Sequence, residues 1–265
     1  MRGQASSRYV KLYADSFGTR QYFHCDILKL NEDRSRDTLL ASPHRQVLSE
    51  ETNFSFEFDN RSCPGMSMRS FLRSRHAEIE RWAKNLPLVT IIHLGAIDVN
   101  NKLVAATGAA FGHYVLDFLT RMKNIAKRNL SPREAAAFEK KLKHQHRYLW
   151  LGLPDWGPDY KPRYQNSMTA AQYKNARRRM NATMKNSFRK RLWEGHNCVW
   201  FTPNTDNPAR NGIHLTPEET KKFVEQVARA ASKLICTYCR IEMSGDYNEE
   251  LHKPDVLKSG KCNWG

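Results

Sequence analysis

The chain lacks any apolar run approaching the roughly 18–20 residues that a helix needs to cross a bilayer, which excludes a helical membrane span. It also lacks an apolar leader. Met1 to Ser7 passes straight into a strand-like segment, so the expectation is an intracellular protein, cytoplasmic or nuclear. Acids are scarce: Asp and Glu number 27 against 43 Lys and Arg, a net charge of +16 over 265 residues. Such a surplus favours polyanionic partners, nucleic acid before an anionic membrane surface, and carries no information about fold. Cysteines number six in a long chain, which does not resemble a small secreted disulfide scaffold. No internal repeat and no low-complexity tract interrupts the pattern.

What is present is an ordinary core composition, 40% apolar, arranged in alternating elements. Five segments read as strands: Tyr9 to Tyr13, Asn53 to Phe58, Leu88 to Leu94, Tyr148 to Leu153, and Asn197 to Phe201. The second alternates as an edge strand does. The third, Leu-Val-Thr-Ile-Ile-His-Leu, is a continuous β-branched run, as expected of a strand buried on both faces of a parallel sheet. Helical patterns fall between them at Ser67 to Leu86, Gly112 to Arg128, from Ser131, Thr169 to Trp193 and Thr216 to about Leu234. Ser131-Pro132-Arg133-Glu134 is a capping signature with proline at the first helical position. Alternating strands and helices imply a three-layer α/β/α sandwich around a doubly wound, mainly parallel five-stranded sheet. The expected domain is residues 1–234, with a cysteine-containing tail at 235–265.

In such a sheet, functional groups gather at the carboxyl ends of the strands. Four stretches belong there: Asp15-Ser16-Phe17-Gly18, Cys63-Pro64-Gly65-Met66, Gly95-Ala96-Ile97-Asp98, and Asn211-Gly212-Ile213-His214. Taken singly, each has a bland reading. Ser16 is a candidate helix cap, His214 a turn histidine, and Asp98 a cap for loop amides. Taken in order, they make the chain resemble the SGNH (GDSL-type) hydrolase superfamily over residues 9–234. The resemblance implies a flavodoxin-like fold, Ser16 as nucleophile, His214 as general base, and the Ser16 and Gly65 amides as oxyanion donors. It also implies a small ester or acylated substrate and no cofactor.

Two positions depart from that family's pattern. Ile97 stands where the family has an oxyanion-donating asparagine, and losing one such donor typically costs ~100–1000-fold in rate. Asn211 stands where the family has the aspartate that orients the histidine; the corresponding change in serine proteases costs about ten-thousand-fold. Such losses need not add, because these residues act as a unit. Asp206 or a backbone carbonyl is an alternative orienting group for the ring. The expectation is therefore a weakened or inactive esterase.

The alternative is a catalytically degenerate member that binds nucleic acid through a basic face. Between Tyr173 and Arg191 the chain carries Lys174, Arg177, Arg178, Arg179, Lys185, Arg189, Lys190 and Arg191 without one acid. Phosphate contacts by such groups give large, salt-dependent affinity; a merely solvated face is the competing reading. Trp150, Trp156, Tyr160 and Tyr164 precede this run, as base-stacking or pocket-lining rings, with Trp150 assigned to the core. Cys198 lies in an apolar strand and reads as a small core hydrophobe. Cys236, Cys239, His252 and Cys262 are compatible with zinc, a disulfide or free thiols. Their spacing is irregular, so no metal is assigned.

Overall fold

The structure, a computed structural model, describes residues 9–15, 57–155, 168–189 and 198–203. It also describes positions 215, 216, 218, 219, 222, 223, 225–227, 229–231 and 234. Five strands form one sheet: β1 (Tyr9–Ala14), β2 (Glu57–Asn60), β3 (Val89–His93), β4 (Arg147–Leu151) and β5 (Cys198–Phe201). Their order is β2-β1-β3-β4-β5, and every neighbouring pair is parallel. Chain order therefore runs outward in both directions from β1. The switch point between β1 and β3 is where this architecture opens a crevice at the carboxyl ends of its strands.

Apolar side chains alternate between two buried faces, as the uninterrupted β-branched runs require. Tyr13, Ile92, Tyr148, Trp150 and Trp200 belong to one core, and Val10, Leu12, Ala14, Val89, Ile91, Leu149 and Leu151 to the other. Trp150 and Cys198 are core residues, as expected from sequence.

The first face is covered by α1 (Met68–Ser74), α2 (His76–Glu80), α4 (Gly108–Lys127), α5 (Pro132–Gln145) and α6 (Ala170–Arg189). A short α3 (Ala96–Asn100) lies directly after β3. The second face is covered by helical residues between 218 and 234, through Phe223, Val227, Ala230 and Ala231. That segment opens as its sequence suggests, with the Glu219 N–H donating to Thr216 Oγ1 at 3.3 Å. Helices α4 and α6 cross closely. A Cβ on Gly108 would stand 2.0 Å from Thr183 Oγ1, so only glycine lets the two backbones approach this far.

Two sequence expectations are revised. The single helix expected over 67–86 is broken at Arg75, whose backbone leaves the helix at φ −111° and ψ 11°. Arg75 Nη2 donates to the Arg61 carbonyl at 3.2 Å. Beyond the break, Glu78 accepts from Lys11 Nζ and from Tyr13 Oη, pinning α2 to β1. The second strand, expected over 53–58, is described as Glu57–Asn60, positions 53–56 lying outside the described residues, and it sits at the sheet edge as its alternation implied.

Candidate active site

Cys63-Pro64-Gly65-Met66 forms a tight turn at the carboxyl end of the sheet, closed by the Met66 N–H donating to the Cys63 carbonyl at 3.2 Å. Proline at the second position and glycine at φ 71° in the third are the residues a type II turn needs. The turn hangs from β1 by the Cys63 N–H, which donates to the Ala14 carbonyl at 2.9 Å. A Cβ on Gly65 would meet nothing within 4 Å, so the backbone here faces open space. Among the described residues, no acceptor engages the Gly65 N–H. An uncommitted amide beside open space is what an oxyanion donor requires.

Asp98, on α3, ties down the start of α1 just after this turn. Its carboxylate is buried and accepts the Met68 N–H at 3.0 Å and the Tyr114 hydroxyl at 2.9 Å. The N–H groups at the start of α1 lack intrahelical partners, and a carboxylate is favoured there. Burial pushes the Asp98 carboxyl above its usual range, opposed by these hydrogen bonds and by the amides of Asp98 and Arg69. Burial and the neighbouring Asp98 charge push the Tyr114 hydroxyl upward too, so Tyr114 keeps its proton and donates it. The capping reading of Asp98 is therefore the one the structure bears out. Its partners lie 30 and 16 residues away in sequence, which the motif could not reveal.

Ile97, at the family's asparagine position, is half-buried on α3 just after Gly95, whose φ is 115°. It has no group to donate to an oxyanion. Ser16, Asn211 and His214 lie outside the described residues; Asp15, next to Ser16, and Leu215, next to His214, are described. Asp15 is buried at the carboxyl end of β1, with its N–H donating to the His93 carbonyl at 3.4 Å. Leu215 is buried in the same cluster as Val10, Leu12 and Ala14.

His93, at the end of β3, was read from sequence only as part of a buried run. It is fully buried, and its ring lies 5.5 Å from that of Phe223, in the helical segment that follows position 214. Burial lowers its pKa to about 4, a backbone hydrogen bond with Gly152 opposing, so the ring is neutral near pH 7. A histidine inside a β-branched run was the available sequence signal.

Helix α6 is fastened to the rim by one stripe of side chains. Tyr173 Oη donates to the Pro154 carbonyl at 3.2 Å, and Asn181 bonds both the N–H and the carbonyl of Leu153, at 2.9 and 3.0 Å. Arg177 Nη2 donates to Asp155 Oδ2 at 2.7 Å, so this arginine is committed within the fold and is corrected as a free anion contact. Lys174, Arg178 and Arg179 are exposed. The Arg189 side chain, Lys190, Arg191, Trp156, Tyr160, Tyr164, Asp206 and the tail residues Cys236, Cys239, His252 and Cys262 lie outside the described residues.

Among the described residues, no group of acidic, histidine or cysteine side chains is arranged to hold a metal ion, and no helix is long and apolar enough to cross a membrane. A surface groove between α2, the end of α4 and α5 is lined by Ala77, Leu130 and Phe138, and holds none of the candidate residues. The site is accordingly placed by the chemistry of the sheet rim and not by that concavity.

No protein-family model and no curated protein matches the chain. Among solved structures, Est24, a carbohydrate acetylesterase from Sinorhizobium meliloti, matches with a TM-score of 0.55 at 14% identity, covering 86% of this chain and 100% of that one. The inhibitor-bound form of the M. smegmatis aryl esterase matches with a TM-score of 0.51 at 15% identity, over 86% of this chain and 100% of that one. Identities this low speak for architecture alone, and the architecture is the SGNH-type α/β/α fold.

Proposed function

We propose that this chain is an SGNH-type acyl-ester hydrolase working below the rate of its fold relatives. One observation carries the reading. Asp15, next to Ser16, is buried at the carboxyl end of β1, and Leu215, next to His214, is buried in the cluster that contains Ala14. This supports a meeting of Ser16 and His214, some two hundred positions apart in sequence, on one side of the sheet. The esterase names of the two matched structures support ester substrates, with a small acyl group as the natural first trial.

The mechanism follows from the roles. His214 takes the Ser16 hydroxyl proton as Oγ attacks the ester carbonyl carbon. The carbonyl oxygen becomes an oxyanion, held by the Ser16 and Gly65 amides. Collapse expels the alkoxide, which takes the proton from His214 and leaves an acyl-serine. Water, deprotonated by His214, then releases the acid and restores Ser16. Asp98 and Tyr114 fix the Gly65 turn and touch no substrate. With Ile97 and Asn211 in place, the oxyanion has fewer donors and the imidazolium lacks a carboxylate. Turnover of p-nitrophenyl acetate tests this reading: wild type should exceed Ser16→Ala, and equal rates in the two would overturn it.

A second reading is favoured by α6 itself, a binding protein for nucleic acid on the same scaffold. The helix exposes Lys174, Arg178, Arg179 and Lys185 and contains no acid over Ala170–Arg189. Titration with single-stranded RNA at two salt concentrations decides it. Affinity should fall steeply with salt, and absence of binding at low salt would count against it.

A further inference from the structure

The exposed cations of α6 are not equivalent. A helix turns by one residue in 3.6, so Lys174, Arg178 and Lys185 fall within roughly 40° of one another, while Arg179 lies about 100° beyond Arg178. The stripe next to the first three is Tyr173, Arg177 and Asn181, the side chains that grip residues 153–155 at the carboxyl end of β4. Lys174, Arg178 and Lys185 therefore form a ridge along the rim loop, and Arg179 faces the other flank. The α6 segment also reaches the end of α3, where the Met168 N–H donates to the Asn100 carbonyl at 3.2 Å.

Among the described residues, nothing neutralises the ridge. Some cations elsewhere on the described surface pair with carboxylates, as Arg121 does with Asp117, Lys127 with Glu139, and Lys222 with Glu218 and Glu219. Lys174, Arg178 and Lys185 form no ion pair or hydrogen bond with any described residue. The acids of the rim are already engaged, Asp98 with Met68 and Tyr114, and Asp155 with Arg177. Exposed cations continue along the other rim segments at Arg69 and Lys102. Leu103 is the exposed large hydrophobic among the described residues, so the ridge has no apolar partner face for entering a lipid surface. An anionic strand fits better than a bilayer. The rise from Lys174 to Arg178 is about 6 Å, and a guanidinium fork binds phosphate in two-point fashion.

We infer that a single strand of nucleic acid lies along the Lys174–Arg178–Lys185 ridge, with its phosphates on these three side chains, and passes over the β4 rim loop at the mouth of the candidate active site. This rests on the second reading above and adds where the strand sits and what it covers. Occupation of the ridge then restricts access to the site.

The test uses the full chain and fluorescein-labelled oligothymidylate, with oligouridylate and inorganic polyphosphate as parallel arms. Lys174→Glu and Arg178→Glu should each weaken oligonucleotide binding about five- to ten-fold and lower the salt slope by about one. Arg179→Glu, on the far flank, and Lys141→Glu, on α5, should change it less than about two-fold. Hydrogen exchange at the Leu153 and Asp155 amides should slow on binding in wild type and stay unchanged in Arg178→Glu. If wild type binds no oligonucleotide, the nucleic-acid reading itself fails. Equal weakening by all four variants, or unchanged exchange at Leu153 and Asp155 in the saturated complex, would overturn the inference while leaving that reading intact. Polyphosphate binding as tightly as the oligonucleotides, with the same variant pattern, would overturn the assignment to a nucleic-acid strand.

Discussion

Gly65 carries the strictest backbone requirement at the rim. A side chain there has room, since nothing stands within 4 Å, but φ at 71° disfavours any L residue by ~1–2 kcal/mol. Gly65→Ala is therefore expected to lower the melting temperature modestly and ester turnover severely, because the turn that presents the amide must reshape. Calorimetry beside a p-nitrophenyl acetate assay separates the two effects. Asp98 shows what sequence could and could not give at this scale. Its position after a buried strand pointed to a capping role, yet Met68 and Tyr114 are brought to it only by the packing of α1 and α4. His93 and His146 yield a pH expectation. Burial holds their pKa values at about 4 and about 3, against 6.5 in the unfolded chain. For His146, the hydrogen bond from the ring to the Pro87 carbonyl opposes burial, and the nearby Arg147 charge adds to it. Both rings stay neutral in the fold, so the stability they confer is complete above pH 6.5. It falls as the unfolded chain takes up protons below that, until the folded His93 itself protonates near pH 4. His93 alone accounts for on the order of 3 kcal/mol across that window. Thermal melts of wild type should decline from pH 6.5 toward 4, and His93→Leu should flatten the decline.

Among the elements, the α4–α6 crossing is the most exacting. Gly108→Ala would place a methyl 2.0 Å from Thr183 Oγ1 and 2.3 Å from its Cβ. Separating the helices to relieve it should cost ~1–3 kcal/mol, read by urea unfolding. Thr183→Gly in the same chain should recover most of that loss, and an unrelated helix substitution should not. Helix starts were legible wherever local chemistry sets them. Ser131 and Glu134 form the reciprocal capping box their spacing implies, and Thr216 caps the segment that follows position 214. The β-branched run of β3 likewise disclosed burial on both faces. Two features were not legible. The break at Arg75 depends on Arg61 and on the Lys11–Glu78 contact, partners that a periodicity window does not contain. α3 spans five residues, too short for any apolar period to register. The charge run on α6 was plain in sequence, whereas its division into a committed Arg177 and a ridge unpaired among the described residues required Asp155 to be placed.

At the scale of the whole molecule, the parallel strand order β2-β1-β3-β4-β5 brings the carboxyl ends of β1, β2 and β3 to one edge, and this follows from alternating elements joined by parallel crossovers. The order of strands was not itself readable, since pairing partners such as β1 and β3 are some eighty residues apart. On the proposed reading, Ile97 and Asn211 alter the chemistry of the site and leave the scaffold whole. Restoring the family residues should therefore raise activity without refolding the chain. Ile97→Asn combined with Asn211→Asp is expected to increase p-nitrophenyl acetate turnover by tenfold or more. The assay should use enzyme whose melting temperature matches wild type. The most direct measurement is covalent labelling with a fluorophosphonate, read by intact mass and peptide mapping. A single adduct on Ser16 of the wild-type chain, absent from Ser16→Ala and much slowed in His214→Ala, is the expected result. A folded wild-type protein that stays unmodified, or that labels at another residue, would contradict a hydrolase site at this rim.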